Sequence, residues 1–233
     1  FVGLTSGAAV VVSQFFGAQD RKNLDKTVHT SFAFSLAAGA IIGVAGFLLS
    51  DAVLEAMNTP VELMADSRTY LHIYFMGIVF NLVYNMGASV LRAMGDSRRP
   101  LYVLMTACIL NIVLDIVLVV AAGMGVRGVA IATVSCQGVS AVLVTGMLMR
   151  DHGFFRLEIK KICFYGASLK AILRIGVPAG IEAAMYCVAN IVIQVFVNRL
   201  GTDYVAAWGT FGKIDAVFWM VVNAFSIAIT TFV

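Results

Sequence analysis

Charged residues are scarce in this sequence. Lys, Arg, Asp and Glu make up 12% of its 233 residues, while 61% are apolar. A soluble domain carries about 25% charged residues, so this chain has too little polar surface to fold as a compact body in water. The formal net charge of +3 is too small and too scattered to indicate a nucleic-acid partner. The composition indicates a protein whose partner is the lipid bilayer.

Catalytic and cofactor motifs are also missing. The sequence contains no Walker loop, no nucleophile elbow and no HExxH, so we predict neither an enzyme nor a bound cofactor. If the protein pumps, an ion gradient is the simplest driving force. No CxxC pair occurs, which favours free thiols over a disulfide framework or a zinc site at Cys108, Cys136, Cys163 and Cys187. Because both ends lie inside apolar runs, we expect an internal fragment of a longer chain.

Long apolar runs dominate what remains. A bilayer-crossing helix needs about 20 mostly apolar residues, and seven segments approach or exceed that length. Strands are excluded because the runs are too long and lack alternating polarity. The sequence therefore predicts an all-α, polytopic transmembrane bundle with spans near 1–18, 29–49, 69–94, 101–122, 128–149, 169–200 and 202–233.

The connections between these spans differ in charge. Twelve basic residues fall in or beside the connections 19–28, 92–100 and 150–174, against three in the alternate connections. By the positive-inside rule the basic set is cytoplasmic. We expect a boundary between two bundles at the long connection, dividing the chain into 1–149, a linker 150–168, and 169–233. Residues 156–161 fit either a short surface helix or a solvated connector.

Small residues and one proline occur at positions within the spans that affect helix packing and helix shape. Gly39, Gly43 and Gly46 share one helical face, as do Gly3 and Gly7, and such faces let membrane helices approach closely. Pro178 lacks a backbone N–H and predicts either a functional bend or a harmless kink in the sixth span.

Charges inside spans are costly and are functional candidates by default. Asp115 lies near the middle of the fourth span, with Asn111 four residues earlier on the same face. A carboxylate and an amide oxygen together suit a hard cation such as Na⁺, and a desolvated carboxylate can instead carry a proton. The alternative is an interhelical hydrogen bond that only fixes packing.

A second polar set lies in the last two spans. Glu182, Tyr186, Asn190 and Gln194 step by four residues and form one stripe, which faces protein or water rather than lipid. The stripe either lines a cavity for amphiphilic cations or seals against another helix. Lys213 and Asp215 are two residues apart and do not obviously pair with each other. The other intramembrane polar groups fit packing better than ligand binding, namely Asn81, Asn85 and Gln137. His29 and His72 lie near span starts, and neither has other metal ligands near it in the sequence.

The segments Gly3–Ala18, Arg92–Pro100 and 175–180 together resemble MATE (multidrug and toxic compound extrusion) transporters of the MOP superfamily. The segment from Gly3 to Ala18 resembles their second helix, and Arg92–Pro100 resembles their loop between helices four and five. Further resemblance lies in 128–137 (helix six), 175–180 (start of helix seven), 206–215 and 223–233 (helix eight). The match covers essentially the whole chain, and the order and spacing of the motifs make it specific.

The resemblance implies a twelve-helix protein of two lobes, of which this chain holds about helix two to helix eight. It also implies a coupling-cation site, with Na⁺ as the metal if the protein is Na⁺-coupled, formed by Asp115, Asn111 and Thr133 together with a helix-one Asp outside this sequence. Where some members carry a helix-seven Glu, this sequence has Tyr186, and Glu182 falls one turn earlier.

The implied function is export of organic, often cationic, compounds in exchange for Na⁺ or H⁺ by alternating access. The implied location is the plasma membrane, in bacteria the inner membrane. Small organic substrates, lipid and the missing helices of the same chain are the expected partners. Glu182, Tyr186, Asn190, Gln194, Lys213 and Asp215 are the candidates for the substrate cavity. A lipid-linked oligosaccharide flippase of related architecture and a non-transporting membrane scaffold remain as alternatives.

Overall fold

The computed structural model describes residues 2–56, 61–150, 157–158, 161–200 and 202–232, and nearly all of them are helical. The helices are α1 (Val2–Gly17), α2 (Arg21–Ala56), α3 (Val61–Ala93), α4 (Arg98–Asp115), α5 (Gly125–Arg150), α6 (Gly166–Leu200) and α7 (Thr202–Phe232). Helix α4 continues as a π-helical segment, Ile116–Ala121. The all-α prediction is confirmed, with one helix for each predicted span.

Five of the described helices, α2 to α6, are long and apolar enough to cross a membrane. The chain is therefore a multi-pass membrane protein. Helix α1, with 16 residues, is shorter than the roughly 20 that a full crossing needs. Helix α2, with 36 residues, extends well beyond its apolar run, because a helix keeps its own backbone hydrogen bonds where it leaves the lipid.

Two tight corners join successive helices at the ends that carry basic residues. Between α1 and α2, Gln19 adopts a left-handed φ of 57°, and the Asp20 carboxylate accepts the backbone N–H of Asn23 at 3.1 Å. Between α3 and α4, the Asp96 carboxylate accepts the backbone N–H groups of Arg98 and Arg99, both at 3.1 Å. These carboxylates satisfy amides that a helix start leaves without partners.

The main core lies at one end of the bundle. It joins the last turns of α1, α3 and α5 to the first turns of α2 and α4 through buried apolar side chains, among them Val12, Leu24, Leu91, Val103 and Leu148. The same core includes Leu157 from the linker, which is 1% exposed. The helix ends that carry the basic connections therefore meet at this end.

Glycine faces bring helices together as the spacing predicts. A Cβ atom on Gly39 would lie 2.9 Å from the Cα of Val79, and one on Gly43 would lie 2.9 Å from the carbonyl oxygen of Phe75, so these glycines let α2 and α3 touch. Helices α1 and α6 approach even more closely, at Gly3 and Gly7. Helix α6 continues through Pro178 without a break.

Half of the segment 156–161, for which a surface helix and a solvated connector were both open, lies outside the described residues. Within the described part, Leu157 and Glu158 are non-helical, and the Lys161 ammonium pairs with the Glu158 carboxylate at 2.9 Å. The four cysteines are free, with Cys136 buried and the others exposed.

Candidate functional site

Helix α4 presents an apolar face outward and its polar pair inward. Ile112, Val113 and Ile116 are 55%, 50% and 57% exposed, whereas Asn111 and Asp115 are only partly exposed. Helix α5 is the main neighbour of α4. The polar pair therefore faces protein, while the outward face is suited to lipid.

A change of helix type occurs at the carboxylate. Asp115 is the last α-helical residue before the π-helical segment Ile116–Ala121. At the end of this segment the N–H of Ala122 bonds the carbonyl of Val117, five residues back, at 2.9 Å. Short π segments inside α-helices are frequently found at functional sites, and this one was not visible in the sequence because its residues are uniformly apolar.

Helix α5 supplies the opposite wall of the site. A Cβ on Gly128 would lie 3.1 Å from the backbone of Leu118, which sets the register of the two antiparallel helices. About two turns further along the two helices, the side chains of Asn111 and Asp115 lie near the Cys136 thiol. Thr133 lies one turn before Cys136 on α5. The structure thus places Asp115 and Asn111 opposite the part of α5 that contains Thr133.

Two oxygens in this region lack partners. Oδ1 of Asp115 and Oε1 of Gln137 are both shielded from solvent, and neither accepts a hydrogen bond from the described residues. Gln137 follows Thr133 by four residues and so lies on the same face of α5. The sequence pattern predicts Gln137 to be a packing group, whereas the structure leaves its oxygen shielded beside the site. Its position one turn from Thr133 was the signal that could have indicated a role.

The oxygen atoms available at this site determine which ions it can bind. Asp115 contributes the one carboxylate, and the amide and hydroxyl oxygens nearby are neutral. Among the described residues, no three His, Cys, Asp or Glu side chains form a group suited to a metal. A single carboxylate with neutral oxygens fits a monovalent hard cation, and the same carboxylate can hold a proton.

The stripe on α6 lies elsewhere and is more open. Glu182, Tyr186 and Asn190 are exposed, and the Asn190 amide donates to the carbonyl of Tyr186 at 2.9 Å. The Tyr186 ring meets the ring of Trp219 on α7 edge to face, with centroids 6.5 Å apart. The stripe is thus partly covered by α7, and Gln194, the fourth member, is half-buried.

Lys213 and Asp215 lie on α7, the first exposed and the second half-buried. Neither forms an ion pair with another residue in the described part of the chain. Helix α6 packs chiefly on α1, and α7 packs on α6 and α3, whereas the carboxylate site lies between α4 and α5. The structure therefore does not join the two predicted sets into one site.

Comparison with known proteins decides the family. The model of the MatE family matches residues 1–117. The chain belongs to the MatE family. This is a family of transporters rather than of enzymes, which confirms the prediction of no catalytic activity.

Individual MatE relatives are similar to nearly the whole chain and not only to residues 1–117. The chain is 30% identical over 216 residues to the probable multidrug resistance protein YpnP of Bacillus subtilis (strain 168), covering 93% of this chain and 48% of YpnP. It is 29% identical to the probable multidrug resistance protein YoeA of the same strain, covering 99% of this chain and 51% of YoeA. The chain therefore spans about half the length of the curated relatives it matches.

A solved structure shows the same fold. The crystal structure of a MATE protein in the straight conformation superposes with a TM-score of 0.90 at 23% identity, covering 98% of this chain and 52% of that one. The arrangement of α1 to α7 is thus the MATE arrangement, as the resemblance implied.

Proposed function

We propose that this chain is the part of an ion-coupled exporter that binds the coupling ion, and that the whole protein moves organic, often cationic, compounds out of the cell. The observation that carries the proposal is the shielded, unpartnered Oδ1 of Asp115, at the start of a π-helical segment and facing α5. An unpaired carboxylate at membrane depth costs free energy, so it is retained for a function. The names of YpnP and YoeA support drug-like substrates.

Asp115 takes the coupling ion in this proposal, either Na⁺ or H⁺. The oxygens of Asn111, Thr133 and Gln137 complete its surroundings on α4 and α5. If the ion binds one conformation of the protein more tightly than the other, its binding shifts the population between them. That differential affinity is what links ion entry to export by alternating access.

The domain division belongs to the same proposal. Residues 1–149 form most of the first lobe, 150–168 the cytoplasmic linker, and 169–233 the start of the second lobe, with missing helices supplied by the rest of the protein. Glu182, Tyr186, Asn190, Gln194, Lys213 and Asp215 then border the substrate pathway. The location is the plasma membrane, the inner membrane in bacteria, with the basic ends of the bundle in the cytoplasm.

The proposal is tested by ethidium efflux from cells that express the full-length protein under an imposed Na⁺ gradient, an imposed H⁺ gradient, or neither. We expect one gradient to drive efflux in the wild type, and Asp115→Asn to abolish it while the protein still inserts in the membrane. The matched control is Asp66→Asn, since Asp66 is an exposed carboxylate on α3. Coupled efflux that survives in Asp115→Asn would contradict the assignment.

A further inference from the structure

The linker between the proposed lobes is tied to the start of α2 by a buried histidine. His29 is fully buried, although it lies only two turns from the basic end of α2. Its Nε2 accepts the backbone N–H of Glu158 at 3.1 Å. Its Nδ1 lies 2.7 Å from the carbonyl oxygen of Asp25. One ring thus joins α2 to the linker.

These two contacts fix the protonation state of the ring. Because a backbone N–H can only donate, Nε2 must accept and therefore carries no proton. Because a carbonyl oxygen can only accept, Nδ1 must carry the hydrogen. The contacts therefore require the neutral imidazole with its proton on Nδ1. An imidazolium would point a second N–H at the Glu158 amide, where two donors face each other and the bond is lost.

Neighbouring contacts dock the same segment. The Tyr165 N–H donates to the Thr30 hydroxyl at 3.1 Å, and the Thr27 hydroxyl donates to the Ser168 hydroxyl at 3.2 Å. The N–H of the buried Leu157 bonds the carbonyl of Leu148 at the end of α5, at 3.0 Å. None of these groups changes charge between pH 5 and pH 8. Among these docking contacts, the one at His29 alone involves a histidine, the residue type whose ordinary charge change falls in that range.

We propose that His29 is a proton-sensitive latch, which holds the linker on the basic end of α2 when neutral and releases the Glu158 amide when protonated. The inference goes beyond ion-coupled export and does not require Asp115. Because the linker joins the two proposed lobes, loss of this contact would loosen the tether between them at Glu158, while Leu157, Tyr165 and Ser168 stay docked. A cytoplasm made acidic by proton entry would then change how freely the lobes move.

Charged groups face the ring from both elements. On α2, the Asp25 carboxylate lies 3.6 Å from Nδ1 of the buried ring. On the linker, the Glu158 carboxylate pairs with the Lys161 ammonium at 2.9 Å. Glu158 and then Asp25 raise the pKa of Lys161, so that lysine stays charged throughout. The Lys26 ammonium lies 5.7 Å from the centre of the Tyr165 ring.

Amide hydrogen exchange in the full-length protein, embedded in lipid nanodiscs, tests the latch. Rates are measured at pH 7.5 and pH 5.5 and corrected for the intrinsic pH dependence of exchange. We expect the protection of the Glu158 amide to fall by about tenfold at pH 5.5, the effect of losing one typical hydrogen bond. In His29→Gln this amide should show the same protection at both pH values, since glutamine does not titrate.

The control variant is His72→Gln, because His72 lies at the opposite end of the bundle, 3.7 Å from Asp51. It should keep the wild-type response at Glu158. If His29→Gln does not fold, the comparison of Glu158 amide protection at the two pH values in the wild type is a sufficient test. Equal corrected protection of the Glu158 amide at the two pH values, or an unchanged pH response in a folded His29→Gln protein, would overturn the proposal. Because exchange does not depend on efflux, this outcome is distinguishable from a failure of the transport proposal.

Discussion

Gly7 of α1 and Gly176 of α6 touch through their backbones. A Cβ atom placed on Gly7 would lie 2.6 Å from the nitrogen of Gly176 and 2.7 Å from its Cα. A side-chain neighbour can rotate away from such a contact, but a backbone cannot. The contact joins a helix of the proposed first lobe to the first helix of the second, so it is a point where the lobes meet.

We expect Gly7→Ala to weaken the contact between α1 and α6. Overpacking of this kind costs about 1–3 kcal/mol, more than the roughly 0.5–1 kcal/mol that alanine gains over glycine within a helix. The measurement is the thermal unfolding of the full-length protein in detergent. Gly146→Ala is the matched control, because nothing lies within 4 Å of a Cβ at Gly146, and it should be neutral or stabilising. Equal melting temperatures for both variants would contradict the packing argument.

Gln137→Leu tests whether the second shielded oxygen belongs to the ion site. The substitution introduces an apolar side chain of similar size and removes Oε1, so we expect weaker binding of the coupling ion. The half-saturating ion concentration should rise by about tenfold, as when supporting groups are removed at metal sites, with little change in maximal efflux. Gln14→Leu is the control, since Gln14 is an exposed glutamine on α1. If Gln137→Leu leaves the ion dependence unchanged, Gln137 is a packing residue, as the sequence first suggested.

Asp20→Ala should destabilise the start of α2 in a pH-dependent way. The Asn23 backbone N–H, followed by the Asn23 side-chain amide, holds the pKa of the Asp20 carboxyl below its ordinary value of 3.8. A lowered pKa means that the stabilisation is complete above the ordinary value and is lost as pH falls through the folded-state value. The melting-temperature difference between wild type and variant should therefore be constant from pH 5 to pH 7 and shrink below about pH 4.

Asp66→Ala provides the baseline for that comparison, since it removes an exposed carboxylate and no cap. It should follow the wild type at every pH. A difference between wild type and Asp20→Ala that stays constant down to pH 2.5 would show that the carboxylate charge does not contribute to the cap.

The number and order of helices could be read from the sequence because a lipid-spanning segment must satisfy its backbone internally and remain apolar for about 20 residues. The close approach at Gly7 and at Gly39 could be predicted for a related reason, since only a residue without a side chain lets two membrane helices touch. The alignment of Asn111 with Asp115 followed from their spacing of four. These are local properties, and local geometry fixes them.

Other features depended on which helices pack together. The π-helical segment after Asp115 lies in a uniformly apolar run that carries no signal for a change of helix type. The shielded oxygen of Gln137 depends on the register between α4 and α5. The tautomer of His29 depends on an amide 129 residues away, which no periodicity connects to it. The sequence alone determined where the helices run and which polar residues they carry. The tertiary structure decided which of those residues meet, because burial and hydrogen bonding between distant segments arise only when the helices pack.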